Sequence, residues 1–367
     1  MRYILYAATA VIFFGVGCTS ITPQVTDIGI IDRVPRRALA NSPVQKEATA
    51  ALLDGMREMN ASAGAVVIME VNTGRVLGLV SVVGESAADA EDPQFNRAVN
   101  NVHELGAAMR IFSVAQAIDE GLISPDTQVE TPPSLSIGRF KIRDYHPRDS
   151  QMTPADVFIY SSFVGSAQIS QKIGPKLQQE FLRSLGFLEG NLIEKQYPTD
   201  IPTIRPQSWG NLSAATVAYG FGLTASPLQL AAGYASLVNG GTRVHPTLGP
   251  LTRRGDRIIS EKTSNYVRDL LRDSVSVRTL ELVNVAGYSI GGASGTSDAR
   301  LPTGRFSKDY LVATFAAVFP INEPKYVVVT LLEDPVFSAM GKDRKTAGWT
   351  VAPVTARIIE RTNPFLP

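Results

Sequence analysis

Cysteine occurs once in the 367 residues, at Cys18, so no disulfide can form within the chain. Histidine occurs three times, as His103, His146 and His245, with no second His or Cys at ligand spacing, which argues against a metal site. An excess of either charge is missing as well. The chain has 35 Lys and Arg against 34 Asp and Glu, a net charge of +1, and 19% charged residues with no basic tract. That balance suggests neither nucleic-acid binding nor a disordered chain. Internal repeats and low-complexity segments are absent. The leading apolar run, Tyr3 to Val16, stops short of the roughly 20 residues that a membrane-spanning helix needs.

What is present at the N-terminus reads as an export signal: Arg2, the apolar run, then Gly17-Cys18-Thr19-Ser20. Gly15-Val16-Gly17-Cys18 resembles a bacterial lipobox, with Gly15 where leucine is usual, and makes Cys18 the lipidation candidate. Residues 1–18 are therefore a signal peptide of lipoprotein type or, alternatively, an uncleaved membrane anchor. Either one leaves the chain membrane-anchored, facing the periplasm or the cell exterior. Residues 19–41 carry Pro23, Pro35, Arg33, Arg36 and Arg37 without an apolar period and read as a tether. The remainder, 42–362, is long for one core against a prior of about 100 to 200 residues per domain, yet it is expected as one large mixed domain.

Three helix starts share a Ser or Thr N-cap followed by Pro in the first turn: Ser42-Pro43, Thr153-Pro154 and Ser226-Pro227. Gln45 and Gln229, three residues after their caps, fit capping boxes. A helix after Ala107 carries Ile111, Val114, Ala115 and Ile118 at helical spacing and stops at Gly121. Gly64–Val71 and Arg75–Val83, joined by Asn72-Thr73-Gly74, read as a hairpin. Leu311–Phe319, Tyr326–Leu332 and a strand ending at Ala293-Ser294-Gly295 add to it. The pattern predicts an α+β fold, an antiparallel sheet flanked by helices on both faces.

Residues 104–112, Glu-Leu-Gly-Ala-Ala-Met-Arg-Ile-Phe, resemble the Glu-Pro-Gly-Ser-Thr-Phe-Lys motif of class B penicillin-binding proteins. Those are the D,D-transpeptidases that cross-link peptidoglycan. In that frame the nucleophilic serine falls on Ala107 and the lysine on Arg110. The Ser-x-Asn motif falls on Ser161-Ser162-Phe163, and the Lys-Thr-Gly motif on Ala293-Ser294-Gly295-Thr296. Collinear matches surround all three motifs. Asn96-Arg97-Ala98-Val99, Ile142-Arg143-Asp144-Tyr145-His146-Pro147, Tyr219 to Ala231 with Val238-Asn239-Gly240-Gly241, and Ala313 to Pro320 carry the resemblance over roughly residues 44 to 362. It implies the serine penicillin-recognising fold. Family members of this class usually carry a pedestal domain before this one, and the sequence as it stands has no room for it.

The chemistry of the family needs a serine whose proton a neighbouring lysine can take, three residues on and on the same helical face. Ala107 has no atom that can attack a carbonyl, and arginine, with an ordinary pKa above about 12, is no base at neutral pH. No lysine in the chain has a serine three residues before it, and no Ser-x-Asn, Lys-Thr-Gly or Lys-Ser-Gly occurs elsewhere. A nucleophile, a base, an amide and a substrate-facing cation are thus lost together while their neighbours remain. Ser113 and Ser162 have no lysine at the right offset and read as ordinary serines, and Asp144 and His146 read as structural. Phe163 is expected to plug the groove or to offer a partner an apolar surface. Arg110, at a buried position, is expected to find a carboxylate or hydrogen-bonded partner.

The expectation is a catalytically inactive transpeptidase homologue, a scaffold, regulator or non-covalent binder in cell-wall synthesis. Its expected partners are cell-wall synthesis or division proteins and, non-covalently, a peptidoglycan peptide, with no cofactor and no nucleic acid. The alternatives are residual transpeptidase or carboxypeptidase activity by a non-standard route, and non-acylating sensing of β-lactams or muropeptides.

Overall fold

Five antiparallel strands form the centre of the computed structural model. It describes residues 39–84, 96–190, 193, 205–249, 254–277, 282–283, 285–300, 306–339 and 342–367. β1 (Ala63–Glu70) and β2 (Val76–Val83) make the expected hairpin, and β3 (Gly291–Arg300), β4 (Phe306–Phe319) and β5 (Tyr326–Glu333) complete the sheet in the order β3-β4-β5-β1-β2. Alternation along β1 sends Val66 and Ile68 into one apolar layer and Ala65, Val67 and Met69 into the other. Both faces are therefore covered, which is why β1 is almost uniformly apolar instead of alternating with polar residues.

Helices α1 (Pro43–Glu58) and α9 (Val351–Thr362) close one face, with Leu52 and Met56 of α1 in the same layer as Val354 and Ile358 of α9. The opposite layer holds α2 (Arg110–Asp119), α3 (Pro154–Ile159), α4 (Phe163–Ile173), α5 (Pro175–Ser184), α6 (Asn211–Ala218), α7 (Pro227–Val238) and α8 (Glu261–Ser276). All twelve residues of α7 are buried, as a helix apolar on every side must be. This is the α+β architecture expected, with helices on both faces.

Local details depart from the expectations in four places. The Gln45 side chain does not close a capping box on Ser42; its Oε1 accepts from Leu79 N at 2.8 Å and its Nε2 donates to Leu79 O at 3.0 Å, tying α1 to β2. A box not anticipated forms instead between Thr153 and Asp156, beside the expected one between Ser226 and Gln229. β3 does not end at Gly295 but runs through it to Arg300, so its motif lies early in a ten-residue strand. Finally, residues 39–41, assigned to the tether, form a helical turn with Leu39 against the core. The signal or anchor, Cys18 and the tether up to residue 38 lie outside the described residues.

His103 sits in a two-residue strand paired with Thr224 and Ala225, buried, with Nε2 3.6 Å from Glu333 Oε1. Neither ring nitrogen has a hydrogen-bond partner. Burial holds its pKa below the usual 6.5, outweighing the upward pull of Glu333, and Arg97 pushes the same way as burial. The folded state thus favours the neutral ring. Its contribution is present above the unfolded value near 6.5 and is lost as pH falls through the lower folded value. Stabilities of wild type and His103→Gln from denaturant melts should therefore run parallel above neutrality, with the wild type losing more stability than the variant as the pH drops below 6.5. Parallel curves across that window would remove His103 as the cause.

Candidate functional site

The motif that begins with Ala107 does not open directly as an α-helix. Gly106–Met109 form a 3-10 turn, and α2 begins at Arg110. In a 3-10 turn residues three apart eclipse one another, so Ala107 and Arg110 still share a side. The turn and the strand before it are seated by backbone and side-chain hydrogen bonds. Gly106 N donates to Gly220 O at 3.2 Å, and Tyr234 OH, from the middle of α7, donates to Ala108 O at 2.7 Å. Glu104 accepts from Gly222 N at 2.6 Å, and Ser297 of β3 donates to Glu104 O.

Two glycines make the seat possible. A Cβ on Gly295 would lie 1.9 Å from Leu105 O. One on Gly220, whose φ is +97°, would lie 1.8 Å from Gly106 O. The β3 edge, the turn and the loop before α7 therefore touch through main chain.

A cleft of about 410 Å³ opens above this seat. Ala107 from the turn, Arg110 from the start of α2, Ser161 from the corner before α4, Phe163 from its first turn, and Ala293, Ser294 and Thr296 from β3 all line it, so the three sequence motifs meet in one place. Gly295 does not; it faces the turn. Ser161 holds a left-handed backbone, φ +60°, at the corner between α3 and α4. Thr296 Oγ1 accepts from Ala347 N at 3.0 Å, fixing the far wall. Among the described residues, no Asp, Glu or Lys lines the cleft.

Arg110 is 1% exposed, and the carboxylate or hydrogen-bonded partner expected for it meets neither its Nε nor its Nη1. Its Nε and Nη1 have no hydrogen-bond partner, and no Asp or Glu of the described residues comes within salt-bridge distance. The nearby Asp144 is engaged elsewhere: it accepts from Ser162 Oγ at 2.7 Å, Phe163 N at 2.5 Å and Val164 N at 3.0 Å, capping α4. The guanidinium instead lies over the Phe163 ring, 5.0 Å from its centroid.

Burial lowers the Arg110 pKa to about 9, against the opposing pull of Asp144 and Tyr219, and at that value it stays protonated at neutral pH. Phe163 in turn stacks on Tyr219, with centroids 4.9 Å apart and planes 8° from parallel, and meets Phe221 edge-on. The two substitutions are therefore one packing unit: the ring fills the groove floor and the cation rests on the ring.

Ser162 caps α4 and Ser113 is buried in α2, as structural serines. His146 is exposed at the cleft mouth, where its ring meets Tyr145 edge-on. Sequence reasoning missed two neighbours. Arg148 stacks on Tyr160 at 3.8 Å and Arg344 on Trp349 at 3.6 Å, and both rings line the cleft. The scarcity of tryptophan, two in the chain, was the one available signal.

The model of the penicillin-binding protein transpeptidase domain matches residues 64–360. The probable peptidoglycan D,D-transpeptidase FtsI of Caulobacter vibrioides is 31% identical over 342 residues, covering 86% of this chain and 57% of that protein. The probable peptidoglycan D,D-transpeptidase PenA of Neisseria flavescens is 29% identical over 290 residues, covering 75% of this chain and 70% of that protein. The apo structure of the transpeptidase domain of penicillin-binding protein 3 from Burkholderia pseudomallei superposes with a TM-score of 0.73 at 26% identity, covering 88% of this chain and 93% of that one. The chain spans little more than half the length of the Caulobacter protein and of a Mesostigma viride FtsI homologue, of which it covers 59%. With the fold, the collinear motifs and the matched span in agreement, this chain belongs to the penicillin-binding protein transpeptidase domain family.

Proposed function

We propose that this chain is a catalytically silent transpeptidase homologue that acts in peptidoglycan synthesis by non-covalent binding, tethered through its N-terminus on the periplasmic or outer face. Its partners in this reading are other cell-wall synthesis or division proteins. The observation that carries it is Ala107, a methyl group at the nucleophile position of an otherwise assembled cleft. Covalent catalysis needs a nucleophile beside a base. Arg110, protonated and resting on Phe163, is not a base, and among the described residues no lysine lines the cleft to replace it. A displaced triad fares no better. His146 is exposed, and Asp144, the carboxylate that would orient it, is committed to the N-terminus of α4.

A fluorescent penicillin incubated with the purified chain should leave no covalent label. A band that survives denaturation, with the adduct mapped to a serine of this chain, overturns the reading.

A further inference from the structure

A small hairpin, Leu135–Ile137 paired with Phe140–Ile142, lies outside the cleft, and none of its residues lines it. Its base is anchored. Leu135, Ile137 and Ile142 pack in a separate apolar cluster with Val164 and Ala167 of α4 and Ala215 of α6. Gly138 and Arg139 make the two-residue turn, with Gly138 at φ +59°, a conformation that such turns require and glycine supplies. A Cβ added at Gly138 would meet nothing within 4 Å, and residues 138–141 are all exposed, so the tip projects into solvent.

The tip carries charge of one sign. Arg139, Lys141 and Arg143 are exposed, and none has a carboxylate within salt-bridge distance among the described residues. No Asp or Glu occurs from Thr131 to Arg143, and the next acid, Asp144, is committed to the N-terminus of α4. A chain of net charge +1 does not produce such a run by composition alone. At the apex Phe140 is 47% exposed, with the Arg139 guanidinium 5.2 Å from its ring centroid. Lys141 lies opposite Ser136 and therefore on the other side of the hairpin from Phe140, so cations flank the ring on both sides.

A projecting ring among unpaired cations matches the surface of an anionic bilayer, where the cations meet headgroup phosphates and the ring enters the boundary with the acyl chains. An acidic protein would have to supply both the charge and a concave pocket for the ring. The bilayer interface supplies both along its whole surface. We propose that this hairpin docks on a bilayer that carries anionic lipid, with Phe140 inserted and Arg139, Lys141 and Arg143 on the headgroups. In the tethered arrangement given above, the 20 residues between Cys18 and Leu39 reach at most about 70 Å, which keeps the domain close to a membrane surface. The proposal goes beyond the binding function of the cleft and does not require the cleft to be silent.

The test reconstitutes the full chain with vesicles of equal parts phosphatidylglycerol and phosphatidylcholine, or of phosphatidylcholine alone, with bromine on the acyl chains as quencher. Phe140→Trp keeps an aromatic ring at the tip and reports its depth, and the wild type, with its two tryptophans, supplies the background. The added fluorescence should be quenched on the anionic vesicles and not on the neutral ones. An increase of about tenfold in salt should release it. Arg139→Gln, Lys141→Gln and Arg143→Gln, each placed in Phe140→Trp, should lower the ratio of docked to free tip by up to about fivefold.

Hydrogen exchange of the wild type checks the same contact without a variant, since the amides of residues 138–141 should slow on anionic vesicles only. Both measurements read the tip itself, so neither depends on how the N-terminus is held. Absence of quenching and of slowing on anionic vesicles overturns the proposal, as does an equal response to both lipids. Slowing of the tip by added polyglutamate, with no response to lipid, would identify an acidic protein segment as the occupant and overturns it too.

Discussion

The variant carrying Ala107→Ser, Arg110→Lys, Phe163→Asn and Ala293→Lys should form a covalent adduct with fluorescent penicillin, whereas Ala107→Ser with Arg110→Lys should form none. The four positions line one cleft and act as one constellation. Groups of this kind are strongly non-additive, and in other serine acyl-transfer enzymes losing the nucleophile alone costs roughly 10⁶ in kcat. In the double variant the Phe163 ring stays stacked on Tyr219 and occupies the place of the amide, and nothing at Ala293 supplies a cation. Phe163→Asn releases that stack and Phe221 beyond it, and should cost about 1–2 kcal/mol of stability. The lysine introduced at Ala293, a position 3% exposed, has to extend into the cleft and adds to that cost. Stability is therefore measured alongside labelling. A folded quadruple variant without label would mean that the backbone of the site has itself drifted from the family. Efficient labelling of the double variant would mean that Phe163 and Ala293 obstruct nothing.

Gly220→Ala should destabilise the fold by about 4 kcal/mol or more. The added carbon would lie 1.8 Å from the Gly106 carbonyl oxygen and 2.3 Å from its carbon, main-chain atoms that no rotamer change can move. The positive φ adds a strain of about 1–2 kcal/mol. Gly121→Ala is the matched control, with φ +65° and nothing within 4 Å of the new carbon, and should cost only that conformational strain. Thermal melts of the two variants read the difference directly. If they melt together, the contact between Gly220 and the turn is soft and the site is not seated as described.

The convergence of the motifs was legible through the family resemblance of the segments around Ala107, Phe163 and Ala293, which implied one cleft; the three residues do line one. Caps were legible in the local pattern: Ser42, Thr153 and Ser226 each accept the backbone N–H three residues on. What was not legible depends on contacts between distant segments. Gln45 fits a capping box locally, and only the arrival of Leu79, 34 residues away, offers it a paired donor and acceptor that it takes instead. Arg110 was expected to find a carboxylate or a hydrogen-bonded partner, because a buried charge without one is costly. The Phe163 ring meets the cation across 53 positions of sequence, and neither residue reveals the pairing alone. The carbonyl seat at Gly220 and Gly295 was equally hidden, since a glycine reads as a turn until the chain crossing it is known.

That seat bears on how such chains are sorted. Gly220 and Gly295 touch backbone of the 105–106 segment, and no reacting group takes part in either contact. The fold of this chain requires them, independently of any chemistry in the cleft. A search that weighs these glycines heavily therefore measures ancestry and foldability. Whether the chain is an enzyme is recorded at other positions, Ala107 and Arg110, whose side chains take no part in either contact.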